Sequence, residues 1–214
     1  MKKILLASLF TLATLSLFAQ EDFKGFKLGL TAHPNFGWIR SDIDGIKSNG
    51  LRAGFTYGLV GDFYFADNYA FSTGLQLTTI NGQTESEKVD SKGQQKIYKL
   101  QYIEIPATLK LSTNEMNGLK FYGQFGLGNA FNVRAKQDIK DSPIATQNVE
   151  NTDIYDEVAF YRASLIIGGG AQFFVGEKTA VDLGLSFNNG FTDIKKGEGT
   201  LKSSYLGLNL AVYF

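Results

Sequence analysis

The chain has 214 residues, a formal net charge of zero at pH 7 and no cysteine. This length allows one domain, the balanced charge gives no sign of nucleic-acid binding, and the lack of cysteine excludes disulfides, thiolate metal sites and a lipid-carrying cysteine. The 18 Phe, 10 Tyr and 24 Gly favour β structure over helix. With a single histidine, we expect no metal and no cofactor.

The N-terminus has the pattern of a secretory signal peptide, residues 1–19. Lys2 and Lys3 form a positive region, an apolar stretch follows, and Ala19 supplies the small residue before a cleavage site. An uncleaved membrane anchor is the alternative, but the apolar stretch is short for a helix of about 20 residues that spans a bilayer. We therefore predict export with removal of this segment, which leaves residues 20–214 with a net charge of −2.

Apolar and polar side chains alternate with period two through the rest of the chain, and turn residues separate the alternating segments. Near the middle, for example, Ile103 and Ile105 alternate with Tyr102 and Glu104. Such alternation places the two sets of side chains on opposite faces of a strand. In chain order, the predicted strands are 26–38, 51–65, 69–80, 97–111, 119–133, 158–175, 180–187 and 201–214.

Strand length and the rhythm of the connections favour a membrane barrel over a soluble β-sandwich. Most predicted strands are long enough to cross a bilayer with tilt, which takes about ten residues, whereas globular strands more often have about five or six. No later apolar run could form a transmembrane helix, and a chain that crosses without helices must close into a barrel. Short turns also alternate with long loops. The turns are 66–68, 112–118 and 176–179, and the loops are 39–50, 81–96, 134–157 and 188–200.

We therefore predict an all-β fold for residues 20–214, an eight-stranded antiparallel up-and-down transmembrane β-barrel in an outer membrane. Both termini should lie on the periplasmic side. Pro34 and Pro106 fall inside predicted strands, where proline removes a ladder hydrogen bond and a closed barrel has no edge to accommodate it. We expect a bulge or bend at each proline, or a strand that ends sooner.

Residues 102–107, with the sequence Tyr-Ile-Glu-Ile-Pro-Ala, and the following Leu109 and Lys110 resemble the Tyr-hydrophobic-Glu-Ile-Pro strand of PorT-like outer-membrane barrels. The glycine-rich segment 121–128 is similar to the next strand of that family. The terminal Phe214 resembles the C-terminal signal that the barrel-assembly machinery recognises. The resemblance covers essentially the whole mature chain. It implies an eight-stranded outer-membrane barrel and a connection with protein secretion, the process with which the founding member is associated, but no functional residue maps onto this sequence.

Seven charged residues are assigned to the barrel interior by the alternation. Side chains fill the interior of an eight-stranded barrel, and charges inside a membrane protein are costly unless they are paired. We therefore expect these four basic and three acidic groups to neutralise one another in a structural network that leaves little room for a pore. They are Arg52, Asp62, Glu104, Lys110, Lys120, Arg162 and Asp182.

His33, the only histidine, is also assigned to the interior. A lipid-modifying barrel enzyme would need a histidine base oriented by an acid and close to a nucleophile. Spacing alone places no serine or acid against His33, so we predict that the protein is not an enzyme.

The predicted role is structural, or that of an accessory or interaction protein in secretion or surface organisation. A narrow transport channel is the alternative, and a lipid-modifying enzyme the less favoured one. Expected contacts are outer-membrane lipid and envelope or secretion proteins, without nucleic acid and with the oligomeric state left open. The long polar loops are the natural place for a partner, and the acids within 134–157 match no metal-ligand motif.

Overall fold

Eight long strands form the wall of a closed barrel. The computed structural model describes residues 25–176, 179–197 and 199–214, so the predicted signal peptide 1–19 lies outside the described residues. The strands are β1 Gly25–Ser41, β2 Ile46–Ala66, β3 Tyr69–Ser86, β4 Gln95–Ser112, β5 Leu119–Lys140, the short β6 Val149–Asp153, β7 Tyr161–Phe174, β8 Ala180–Gly190 and β9 Leu201–Tyr213. One-turn 3-10 helices span Val89–Ser91, Ala145–Gln147 and Tyr155–Glu157.

Each strand of the wall pairs antiparallel with its neighbours. The ring follows the chain from β1 to β5, continues with β7, β8 and β9, and closes where β9 pairs with β1. The short β6 pairs only with the end of β5 and stands outside the ring. Closure pairs the strand edges, which hydrocarbon could not solvate. The predicted eight-stranded antiparallel barrel is confirmed.

The two ends of the barrel differ in the length of their connections. Turns 67–68 and 113–118 and the connection from β7 to β8 lie at one end, together with the start of β1 and the end of β9, and we call it the turn end. The other end, here the loop end, carries the connections 42–45, 87–94, 141–160 and 191–200. Because short turns of outer-membrane barrels face the periplasm, we expect the loop end to face outward. None of the helices in the described part of the chain is long and apolar enough to cross a membrane.

Several strands extend further toward the loop end than predicted. β1 continues to Ser41, β2 begins at Ile46 and β3 continues to Ser86. The expected loops 39–50 and 81–96 are therefore shortened to 42–45 and 87–94. The prediction was wrong there because strands beyond the membrane carry polar residues on both faces, which removes the alternation. Conversely, the predicted strand 158–175 begins only at Tyr161.

Both prolines interrupt a ladder on one side without changing its register. Around Pro34, the pairing of β1 with β9 lapses between Thr31 and Asn35 and resumes in the same register. Pro106 pairs with Gly128 of β5, while the pairing of β4 with β3 lapses beside it. Neither the expected bulge nor the early strand end occurs at these positions, because pairing with the other neighbour keeps the strand in place. The expected bend stays a prediction.

The outer wall carries a continuous apolar surface. Large apolar side chains alternate with inward polar ones on all eight strands and remain exposed. Such a band is the surface that barrels present to lipid. Its members include Phe26, Leu28, Leu30, Phe55, Leu59, Phe71, Leu75, Leu109, Phe125, Leu127, Leu165, Ile167, Leu183, Leu185, Leu208 and Leu210.

At the loop end, β1 and β2 part from each other. Their pairing ends at Gly37 and Arg52, although β1 continues along β9 and β2 continues along β3. The upper part of β1 lies against β3 instead, so that a Cβ atom added to Gly82 would meet the Ile39 Cδ1 at 2.9 Å. β2 is irregular in the same region, with register shifts on both sides of Leu51.

Candidate functional site

A buried ionic cluster occupies the interior near the turn end. The Lys110 Nζ lies 2.8 Å from the Asp62 Oδ2 and 2.7 Å from the Asp182 Oδ2, and all three side chains are at most 5% exposed. Ser72 Oγ donates a hydrogen bond of 2.6 Å to Asp62, and Gln172 Nε2 donates one of 2.6 Å to Asp182. The cluster joins strands that are not neighbours in the ring, so it ties opposite walls of the barrel together.

Two aromatic rings complete the surroundings of Lys110. Its Nζ lies 4.6 Å from the ring centre of Tyr122 and 4.8 Å from that of Tyr213. Aromatic faces attract a cation most strongly where water is excluded. Two carboxylates and two rings therefore compensate the cost of burying this ammonium group.

A second polar cluster lies closer to the loop end. Arg162 Nε donates to Ser203 Oγ at 2.8 Å, and its Nη2 donates to Asn188 Oδ1 at 2.6 Å. Asn188 Nδ2 donates to Glu104 Oε1 at 2.9 Å, and the hydroxyl of Tyr205 donates to Glu104 Oε2 at 3.2 Å. Asn188 thus links the guanidinium group to the carboxylate, so this part of the interior is a bridged pair.

Arg52 and Lys120, the other two predicted interior residues, stand apart from both clusters. Arg52 is half-buried at the loop end and donates through Nε to Gln83 Oε1 at 2.8 Å. Lys120 is half-buried at the turn end, where its Nζ lies 5.8 Å from the ring centre of Phe174. The structure therefore brings the seven charges together as a triad and a bridged pair, with two groups outside.

Sequence reasoning missed the neutral partners of these charges, Ser72, Gln172, Asn188, Ser203 and Tyr205. Ser72, Gln172, Asn188 and Tyr205 alternate with large apolar residues of their strands, and Gln172 and Asn188 also share a strand face with Arg162 and Asp182. The period-two pattern that assigned the charges inward could have assigned most of these as well. Which charge each one meets depends on contacts across the barrel, which no single strand encodes.

A small polar cavity separates the two clusters. It measures about 80 Å³ and is lined by residues that include His33, Thr108, Ser186 and Asn209. That volume holds several water molecules, each of which needs roughly 10–15 Å³ of such space. His33 is buried, and its hydrogen bond within the described residues runs from Nδ1 to the Pro34 carbonyl at 3.5 Å.

An apolar cluster closes the interior at the loop end. Ile39, Ile80, Leu100 and Tyr102 are fully buried there, and Ile194 of the last loop is 2% exposed. Further members are Ala130, Ala135, Ile154, Val158, Leu201 and Tyr205. This plug was not predicted, because the expected first strand ended just before Ile39. It separates the polar interior from the outward-facing loops.

Above the plug, the loops enclose a second cavity of about 230 Å³. Its apolar floor includes Ile154 and Ile194, and its charged lining residues are Lys88, Lys96, Lys195 and Glu157. Tyr98 also lines this cavity, beyond the membrane-spanning part of β4. Burial raises the pKa of Tyr98, so its hydroxyl remains a neutral hydrogen-bond donor at physiological pH.

Asp138 anchors β6 to the outer extension of β5. It accepts a hydrogen bond of 2.7 Å from the Asn151 N–H and lies 2.6 Å from the Lys99 Nζ. Burial raises the pKa of Asp138, but these two hydrogen bonds outweigh it, so the pKa lies below the usual value. Within the part of the chain that the structure describes, no three histidine or acidic side chains form a metal-binding group.

Solved structures of small outer-membrane barrels resemble this chain. Neisserial surface protein A is 16% identical, with a TM-score of 0.50 over 89% of this chain and 98% of its own. OprG of Pseudomonas aeruginosa is 12% identical, with a TM-score of 0.49 over 89% and 96%. Ail of Yersinia pestis is 16% identical, with a TM-score of 0.44 over 88% and 98%. The first of these shows the fold alone, and no curated protein sequence matches significantly.

A family model described as an outer membrane protein beta-barrel domain matches residues 18–196, which is most of the chain. The match agrees with the closed ring of eight antiparallel strands and its exposed apolar wall. The chain therefore belongs to the family of outer membrane protein beta-barrel domains, and its location is the outer membrane.

Proposed function

We propose that the protein is a non-enzymatic, non-conducting barrel with a structural or interaction role in the outer membrane. The observation that carries this proposal is the blocked interior. The plug around Ile39, Ile80 and Leu100 closes the loop end, and the triad centred on Lys110 occupies the turn end. Between them lies a cavity of only about 80 Å³. Nothing in such an interior favours the channel alternative.

The surroundings of His33 support the non-enzymatic part of this proposal. A catalytic histidine needs a nucleophile within hydrogen-bond reach and an acid that orients its other nitrogen. Here the ring lies inside the barrel, and the hydrogen bond described for it goes to a backbone carbonyl. Lipid in the membrane has no access to this buried position.

We expect the purified protein to produce no unit conductance in planar lipid bilayers. A hydrated ion would have to cross the plug, whose central side chains leave no exposed surface. Current recordings over a range of voltages measure this directly. A variant with Ile39→Ala and Leu100→Ala is the matched comparison, because it thins the plug and leaves the ionic triad intact. Discrete, reproducible openings in the unmodified protein would contradict a closed barrel.

The loop end is the surface on which an interaction role depends. It exposes the cavity above the plug, with Lys88, Lys96 and Lys195 around an apolar floor, and the hairpin that β6 forms with β5. The resemblance of residues 102–107 to the PorT-like strand supports assignment to that group of barrels and, with it, a role in protein secretion.

Deletion of the gene tests the secretion role. We expect secreted proteins to accumulate in the periplasm and to decrease on the cell surface and in the medium, with recovery when the intact gene returns. Comparative proteomics of the three fractions measures the change. A complementing gene in which the segment 145–153 is replaced by a Gly-Ser linker of equal length is the control for the loops. An unchanged distribution in the deletion strain would leave surface organisation as the role.

A further inference from the structure

The outer wall has an apolar groove where β1 and β2 part. The groove measures about 510 Å³ and is lined by Phe36, Trp38, Leu206 and the β2 residues Ser48, Gly50 and Leu51. Leu51 is 64% exposed, and Trp38 stacks against Phe187 with the ring centres 5.9 Å apart. Because β2 bends away from β1 at this point, the groove is an indentation of the lipid-facing surface rather than part of the interior.

Two basic residues follow the groove toward the loop end, on the β1–β9 side of the wall. Arg40 follows Trp38 by two residues and therefore lies on the same, outward face of β1. Its pairing partner on β9 is Lys202, so the two side chains are neighbours on that face. Arg40 Nη2 donates to Asn189 Oδ1 at 2.8 Å and to the Gly190 carbonyl at 3.0 Å, which holds the guanidinium group against the wall.

The order of these features along the strand matches the order of groups in a membrane lipid. From the middle of the membrane toward the loop end, β1 presents Phe36, then Trp38, then Arg40. An apolar chain could fill the groove while a negatively charged headgroup contacts the basic pair. Basic residues at the membrane surface attract anionic lipid headgroups, and the loop end faces the outer leaflet.

We propose that the groove binds an acyl chain of an outer-leaflet lipid whose phosphate-bearing headgroup contacts Arg40 and Lys202. The groove is continuous with the lipid-facing wall, so a lipid reaches it without crossing water. The exposed Asp42 follows Arg40 by two residues and opposes the binding of an anion. This lipid site is independent of the secretion role, so the failure of one would leave the other unaffected.

Trp38 makes the proposal measurable, because it is the only tryptophan of the chain. The full barrel is refolded into two preparations of phosphatidylcholine vesicles. One contains brominated phosphatidylglycerol, and the other contains the same fraction of brominated phosphatidylcholine. Bromine on the acyl chain quenches tryptophan fluorescence only at close range. We expect an apparent preference of about fivefold for the anionic lipid, which corresponds to one net positive charge near the surface, since Asp42 offsets one of the two basic residues.

Substitutions at the rim separate this site from general charge attraction. The double variant Arg40→Ala with Lys202→Ala should lose the preference, and Asp42→Asn should increase it. Lys47→Ala is the matched control, because Lys47 lies at the same end and pairs with Glu87 at 2.7 Å. Lys47→Ala should show the same lipid preference as the unmodified protein. Added inorganic phosphate should also leave that preference unchanged, because it lacks an acyl chain. Equal quenching by both lipids, or a preference that survives the double variant, would overturn the proposal. Heat-dependent migration in electrophoresis verifies that each variant has folded.

Discussion

Replacement of Lys110 by methionine is expected to destabilise the barrel by about 3–5 kcal/mol, the cost of removing one partner from a buried ion pair. Methionine keeps an unbranched side chain only one atom shorter, but it leaves the carboxylates of Asp62 and Asp182 facing each other without a cation. Urea unfolding of the protein in vesicles, followed by the fluorescence of Trp38, measures the change in the free energy of unfolding.

Two further variants show whether the unpaired carboxylates cause the loss. Lys47→Met removes a lysine from the exposed pair with Glu87 and should cost less than about 1 kcal/mol. Adding Asp62→Asn and Asp182→Asn to Lys110→Met should restore part of the stability, because amides tolerate burial without a counter-charge better than carboxylates do. A loss for Lys110→Met no larger than that for Lys47→Met would show that the triad does not stabilise the interior.

Gly37→Ala is expected to lower the free energy of unfolding by about 3 kcal/mol, at the upper end of the usual cost of overpacking. A Cβ atom at Gly37 would overlap the carbonyl oxygen of Asn81 and lie 3.1 Å from the Ile80 Cγ2. The oxygen belongs to the backbone of β3, so the clash is relieved only if β1 moves away from β3 and the plug opens. Heat-dependent migration and urea unfolding measure the effect.

Gly25→Ala is the matched control, because a Cβ atom added there meets no atom within 4 Å. It makes the same chemical change in the same strand and should leave the stability unchanged within about 0.5 kcal/mol. If the two alanine variants unfold at the same urea concentration, then the close approach of β1 to β3 is not a tight contact in the folded protein.

The amino-acid sequence alone was sufficient to predict the barrel. Side chains of a strand alternate between two faces with period two, so local pattern assigned Asp62, Glu104, Lys110, Arg162 and Asp182 inward and the large apolar residues outward. Long strands with alternating short and long connections then favoured a barrel over a sandwich. The outward extensions of β2 and β3 escaped prediction, because polar residues there lie on both faces of the strand and the alternation disappears.

Only the tertiary structure decided which interior groups meet. Lys110 of β4 takes one carboxylate from β2 and the other from β8, and Glu104 of β4 is linked to Arg162 of β7 through Asn188 of β8. The tilt and stagger of the closed ring determine such distances, and no strand carries that information alone. The same holds for the parting of β1 from β2, beyond which Ile39 of β1 packs on Gly82 of β3.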